Sequence, residues 1–460
     1  MSNFWDSNVW GVFNLIAVLL LSLLAASLLK KAIKILKDSL IPTSVVGGGI
    51  LLIIAAIYKL ITKDEMFDTT FFGGNGSSVL EIITYHTLAL GFIASTFTGS
   101  SQKLTKQRNI EIFNTGVTTV ATYLIQGVVG LGITIIAANI VTGFFPAAGV
   151  LLPFGYGQGT GQALNYGNIY EMDYGFVDGK SFGLTVAALG FLSASLGGVI
   201  HLNLSKNRLK RAALSAENKK VSEEILTEKD IPIFENMDTL SVQVAFVMGA
   251  YMVTFIAMYL LGLLVPGLKS VIFGFNFLIG VLMATLTKMI INKLYEKKVL
   301  QKQYINGFLM TRIRNFFFDI MVVAGIAAIR LNALGRYLVI LLILGVVGAV
   351  ITYMYLRFIS RKLFPDYEEE QFLAMYGMLT GTASTGIILL REIDGNFQTP
   401  AADNLVYQNF PAIVFGFPLM LLATLAPTAP ELTWIILLVF FLVMNVILFR
   451  SFIFRKRQKE

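Results

Sequence analysis

The residues best suited to chemistry in this chain carry no charge. They are Gln158, Thr160, Gln162 and Asn165 in the run "PFGYGQGTGQALNYG" from Pro153, and Thr380, Thr382, Ser384 and Thr385 in "YGMLTGTASTG" from Tyr376. Amides and hydroxyls interleaved with glycine make neither a nucleophile nor an acid–base pair. They make hydrogen bonds, and glycine lets a solute approach the peptide groups between them. The chain has no cysteine and two histidines, His86 and His201. That excludes a disulfide framework, a thiol nucleophile and a multi-histidine metal site. No serine–histidine–carboxylate constellation and no GxxxxGK[ST] loop is present, so neither an enzyme nor a nucleotide-driven pump is expected.

The two runs repeat one another. Tyr156/Tyr376, Gly157/Gly377, Thr160/Thr380, Gly161/Gly381 and Ala163/Ala383 coincide at a constant offset of 220 residues. The elements that must position them are apolar. Hydrophobic residues make up 55% of the chain, charged residues 14%, and the mean hydropathy is +0.72. Apolar runs of about 20 residues recur along it, the length that crosses a bilayer as a helix. The reading is an all-α polytopic membrane protein with about eleven transmembrane helices, at 10–29, 43–61, 79–98, 112–141, 180–203, 241–264, 270–291, 313–329, 337–356, 405–424 and 431–449. Two glycine-broken segments remain, 144–170 and 371–394, each too interrupted to cross.

With the amino terminus outside, 29 of the 36 Lys and Arg residues fall in the inner segments, as the positive-inside tendency requires. The carboxyl terminus is then cytoplasmic, in a bacterial inner membrane. The net charge of +8 is split among short inter-helix clusters, so no nucleic-acid partner is expected. Residues 1–206 form a first repeat with hairpin 144–170, and 207–240 a cytoplasmic connector. Residues 241–425 form a second repeat with hairpin 371–394, and 426–460 an extra helix with a basic tail. Five spans separate the broken segments. Five is odd, so if each enters and leaves on one face, they enter from opposite faces as re-entrant hairpins of an inverted repeat.

A hairpin tip at membrane depth cannot leave its peptide groups facing lipid, but it can turn them to a wet cavity, where they become ligands. Gln158, Gly159, Thr160, Gly161 and Gln162 are therefore the candidate solute contacts of the first hairpin. Thr380, Gly381, Thr382, Ser384 and Thr385 are those of the second. The N–H groups of each departing helix suit a carboxylate, while carbonyls such as those of Gly157 and Gly377 suit a sodium ion. Asp319, about six residues inside the eighth span, is either an ion-coupling residue or the partner of Arg314, since a lone carboxylate there is expensive. No other cofactor is expected.

The elements "IPTSVVGGGILL", "ALGFIASTF", "GYGQGTGQA" and "GMLTGTASTGI" occur in an order and spacing that resembles the bacterial sodium/glutamate symporter family. The resemblance implies sodium-coupled uptake of glutamate or a related small carboxylate by a homodimer using an elevator motion. The family usually has a histidine at the position of Gln158 and a small residue at that of Gln162. The alternatives are a sodium- or proton-coupled carrier of another small polar solute, or a passive channel.

Among the remaining polar residues, Arg391 reads as an inner interfacial anchor, and Glu81 and His86 as outer interfacial or hydrogen-bonded groups. Thr115, Thr118, Thr119, Thr122 and Gln126 form a stripe suited to helix packing. Pro411 and Pro418 should kink the tenth span.

Overall fold

Apolar runs become helices because, away from water, each backbone N–H must find a carbonyl within its own segment. The computed structural model describes residues 3–38, 40–98, 106–216, 238–266, 269–300, 304–395 and 398–450, and among them there is no strand. The long helices are α1 (Ser7–Ala32), α2 (Thr43–Thr62), α3 (Gly76–Thr98) and α4 (Lys106–Ile140). A broken helix α5 (Leu151–Tyr174) follows, then α6 (Gly179–Ala216). Then come α7 (Thr239–Leu264), α8 (Asn276–Glu296), α9 (Gly307–Ala327) and α10 (Leu331–Leu363). A helix pair follows, α11 (Glu368–Thr380) and α12 (Ala383–Arg391), then α13 (Ala401–Tyr407), α14 (Asn409–Leu425) and α15 (Pro430–Leu448).

Among the described residues, nine helices are long and apolar enough to cross a membrane, which marks a membrane-embedded protein. They are α1–α4, α6–α8, α10 and α15. Two of the eleven expected spans fall outside this set. Helix α9 carries Arg312, Arg314 and Asp319, and the tenth span is divided at Gln408 into α13 and α14. The break at Gln408 precedes Pro411, which sits in the first turn of α14, where a proline sacrifices no hydrogen bond. Helix α14 continues through Pro418. Of the connector, 217–237 lies outside the described residues, and its first residues extend α6 to Ala216. The tail 451–460 also lies outside them.

The chain divides into two compact units that cut across the sequence halves. The larger comprises 1–84, 103–201 and 322–460, and the smaller 85–102 and 202–321. The smaller unit packs α3, α7, α8 and α9 around Ile93, Phe97, Val247, Ala250, Ala284 and Met310. His86 and Tyr251 are hydrogen-bonded within it at 2.5 Å. Asp319 also belongs to this unit, at an exposed position of α9.

The larger unit contains both broken segments. On α4, Thr115, Thr118, Thr119 and Thr122 each donate to the carbonyl four residues earlier and are buried, which satisfies hydroxyls in an apolar setting. Glu81 accepts from Lys180 at 2.8 Å and Arg330 at 3.3 Å, and Glu171 lies 3.5 Å from the same Lys180. These charges tie the start of α3 to the ends of α5 and the start of α6. Arg391 is exposed at the last position of α12.

Candidate functional site: two broken helices meeting on α6

Helix α5 is interrupted at Gly159, whose φ of 77° and ψ of −170° lie in a region open essentially to glycine alone. The chain reverses there. Phe154 and Tyr166 stack with ring centroids 4.0 Å apart, and Phe145 stacks on Phe176 at 4.7 Å. Twelve residues of straight helix would separate the first pair by about 18 Å. The two arms, before and after Gly159, therefore lie side by side. Gly155 packs against Ala187 of α6, Gly183 of α6 against Ala163, and Gly149 against Gly130 of α4, each without room for a side chain.

The second broken segment turns at Gly381 and Thr382, both in extended or irregular backbone. Its arms cross so closely that a Cβ on Gly377 would lie 2.7 Å from the Cα of Gly386. The five-position sequence match thus does not align the breaks. Gly159 and Gly381 differ from the 220-residue offset by two, so Thr160 opens an arm while Thr380 closes one.

Helix α6 joins the two tips. A Cβ on Gly190 would stand 2.5 Å from the carbonyl oxygen of Thr380 and 3.1 Å from the Tyr156 ring. Tyr156 bonds the Ser193 hydroxyl at 2.9 Å and donates to Gly345 O at 2.5 Å; Tyr376 donates to Ser193 O at 3.0 Å. Gln126 of α4 donates to Leu379 O and to Thr352 of α10, both at 2.9 Å, and its Oε1 has no partner among the described residues. The threonine stripe ends in a residue that reaches the second tip.

In the first segment Gln158 is half-buried, while Gly159, Thr160, Gly161 and Gln162 are buried. Thr160 packs against Gly325 of α9. Gln162, 1% exposed, accepts from Asn165 at 3.3 Å, and its Nε2 is a buried donor without a partner among the described residues. The arm starting at Thr160 has glycine at its cap position, which brings no capping side chain of its own.

The second segment differs. Thr382 caps α12 by accepting from Thr385 N at 3.4 Å, and the two hydroxyls lie 3.3 Å apart. Thr380 spends its hydroxyl on Tyr376 O at 2.6 Å. Thr385 is buried, Thr382 half-buried, and the side chain of Ser384 lies outside the described residues. Gly157 O accepts from Tyr123 at 3.1 Å, and Gly377 lies within α11 four residues before the break. Asp319 belongs to the smaller unit.

Sequence reasoning missed Gly190, Ser193 and the hydroxyl roles of Tyr156 and Tyr376, although both tyrosines stood in the repeat. It also missed a ladder in which Tyr166, Tyr170 and Tyr174 donate to the carbonyls of Met420, Ala423 and Thr424 on and beside the end of α14. Their spacing of four residues was the available signal.

At the far end of α11, Glu369 bonds His201 at 2.7 Å and Arg357 at 2.6 Å. Burial alone would raise the Glu369 carboxyl, but the hydrogen bonds from His201 and Arg357 hold it down at about 2. Compared with protein-family models, curated proteins and solved structures, the chain matches none.

Proposed function

We propose that the chain is a secondary carrier of a small carboxylate solute, coupled to sodium and working in a bacterial inner membrane. In this reading the two broken segments are re-entrant hairpins of an inverted repeat, entering from opposite faces. Each closes one side of a shared site in turn, and two copies form the working homodimer of elevator type. Glutamate is the leading candidate solute, on the resemblance of "GYGQGTGQA" and "GMLTGTASTGI" to the sodium/glutamate symporters.

One observation carries the reading. Two helices broken at glycine come together on a single buried stretch of α6, and an unpartnered amide donor, Gln162 Nε2, sits in the first turn of one of them. A helix start whose cap is glycine suits an anion through its dipole, and Gln162 adds a further donor. The second tip is capped by its own Thr382. The carboxylate is therefore assigned to the first hairpin, and the opposite pole of the solute to the second. Gln126 Oε1 is an acceptor for a cation or an ammonium group. Sodium offsets the solute's charge, since neither run, 153–167 nor 376–386, carries a Lys or Arg.

The test is uptake by purified protein in liposomes with a panel of labelled amino and dicarboxylic acids. Saturable uptake driven by an imposed sodium gradient is expected. Unitary currents without counterflow would replace the carrier with a channel.

A further inference from the structure

His201 is buried, 2% exposed, on the same face of α6 as Gly190, Ser193 and Gly197. That face follows α11 along its length. Gly190 meets Thr380, Ser193 and Gly197 meet Tyr376, and His201 meets Glu369 and packs at a tilt against Phe372, ring centroids 4.4 Å apart. Short of His201 the face of α6 offers small residues and the Ser193 carbonyl that accepts from Tyr376; the imidazole adds a polar fastening at the far end of the arm.

The geometry around the imidazole suits both of its charge states. The Glu369 carboxylate can only accept, so Nε2 carries a hydrogen. Nδ1 faces the Tyr353 hydroxyl at 2.8 Å. A hydroxyl donates to a bare nitrogen or, by rotating, accepts from a protonated one, so the proton can come and go without moving a heavy atom. The charged and titratable groups around the ring come from two elements. Helix α10 brings Tyr353, Arg357 and the exposed Arg361, and α11 brings Glu368, Glu369 and Tyr376. Arg357 lies 3.5 Å from Glu368 and 2.6 Å from Glu369. Leaving aside Arg361, which is exposed to solvent, the His201, Arg357, Glu368 and Glu369 group holds one excess negative charge with a neutral ring, and a proton on His201 cancels it. Burial favours the neutral sum.

We propose that His201, with Glu369, Arg357 and Tyr353, is a proton-binding site whose occupancy fastens the first arm of the second broken segment to α6. A charge-assisted hydrogen bond is stronger than a neutral one, so protonation tightens the His201–Glu369 contact and proton loss loosens the start of the arm. Its consequence for transport rests on the carrier reading, in which this segment is a gate: solute movement is then linked to proton binding.

The chain has only two histidines, so the His86→Gln variant leaves one imidazole to observe by NMR in detergent. The expected result is that the ring signals of His201 differ between pH 5 and pH 8, and that Glu369→Gln changes that difference. Amide hydrogen exchange of 368–391 is then compared at each pH with that of His201→Gln, which cancels the intrinsic pH dependence. Protection in the wild type is expected to exceed the variant's by about tenfold at pH 5, the difference between a charged and a neutral hydrogen bond, and to converge with it at pH 8. An imidazole that keeps one charge state from pH 5 to 8, or an exchange difference that does not change with pH, would overturn the proposal. Neither readout needs transport: a chain that moved no solute but gave both results would lose the carrier reading and retain this site.

Discussion

Tyr156 and Tyr376 stand 220 residues apart, one in each broken segment, and both bond Ser193: the first through its hydroxyl at 2.9 Å, the second through its carbonyl at 3.0 Å. Tyr156→Phe is expected to cost more than Tyr376→Phe, because Tyr156 also donates to Gly345 O. A neutral hydrogen bond contributes about 1 kcal/mol. Because the two rings share a partner, the double variant should lose less than the sum of the single losses. Thermal unfolding of the four proteins in one detergent checks this; strict additivity would mean the tips are not coupled through α6.

Gln162→Leu removes a buried donor that has no partner. Leaving the fold stability unchanged or raised, it should weaken binding of a carboxylate by about tenfold, the value of a hydrogen bond to a charged group. Gln162→Glu should abolish binding of the same solute by placing like charges together. Calorimetric titration with the transported solute separates the two effects, and unaltered affinity in both variants would remove Gln162 from the site.

The two breaks should respond differently to substitution. Gly159 holds a φ of 77°, so Gly159→Ala strains the backbone by about 1–3 kcal/mol. Thr382 holds a φ of −141°, open to any residue, and Thr382→Ala loses only a cap worth about 1 kcal/mol. Thermal midpoints should fall in that order, and equal shifts would contradict a reversal at Gly159.

Gly190→Leu fills the point where the tips meet, against Thr380 O and the Tyr156 ring. Loss of solute binding is expected with the protein still inserted and monodisperse by size exclusion. Wild-type affinity would mean the site does not include this part of α6.

Glu369 is held at about 2 against an ordinary 4.5. A depressed carboxyl stabilises the fold above its unfolded value, and that contribution disappears as pH falls through the folded one. Glu369→Gln should therefore be less stable than wild type at pH 5 and above, and the two should converge as the pH approaches 2.

The helices were legible because they are decided locally. A stretch such as 241–264 is apolar throughout and becomes α7 whatever surrounds it, since the cost of bare peptide groups away from water depends on the segment alone. The glycine-rich runs at 153–167 and 376–386 were legible as breaks for the same reason. Which residue breaks the helix was not legible. The repeat aligns Gly161 with Gly381, yet the first reversal is at Gly159, because the stacking of Phe154 on Tyr166 and the close fits of Gly155 and Gly183 against their partners set where the arms must cross. Asp319 drew attention as the best intramembrane charge, but composition could not tell that it lies in a different compact unit from both tips.

The amino-acid sequence by itself determined that this is a chain of membrane helices interrupted twice by matching polar, glycine-rich breaks, because hydropathy and backbone freedom act over a few turns. Only the tertiary structure decided that Tyr156 and Tyr376 share Ser193, and that His201 meets a glutamate 168 residues away. Those pairings follow from helices packing across the whole chain, where a contact depends on the shape of its partner and leaves no periodic trace in either segment.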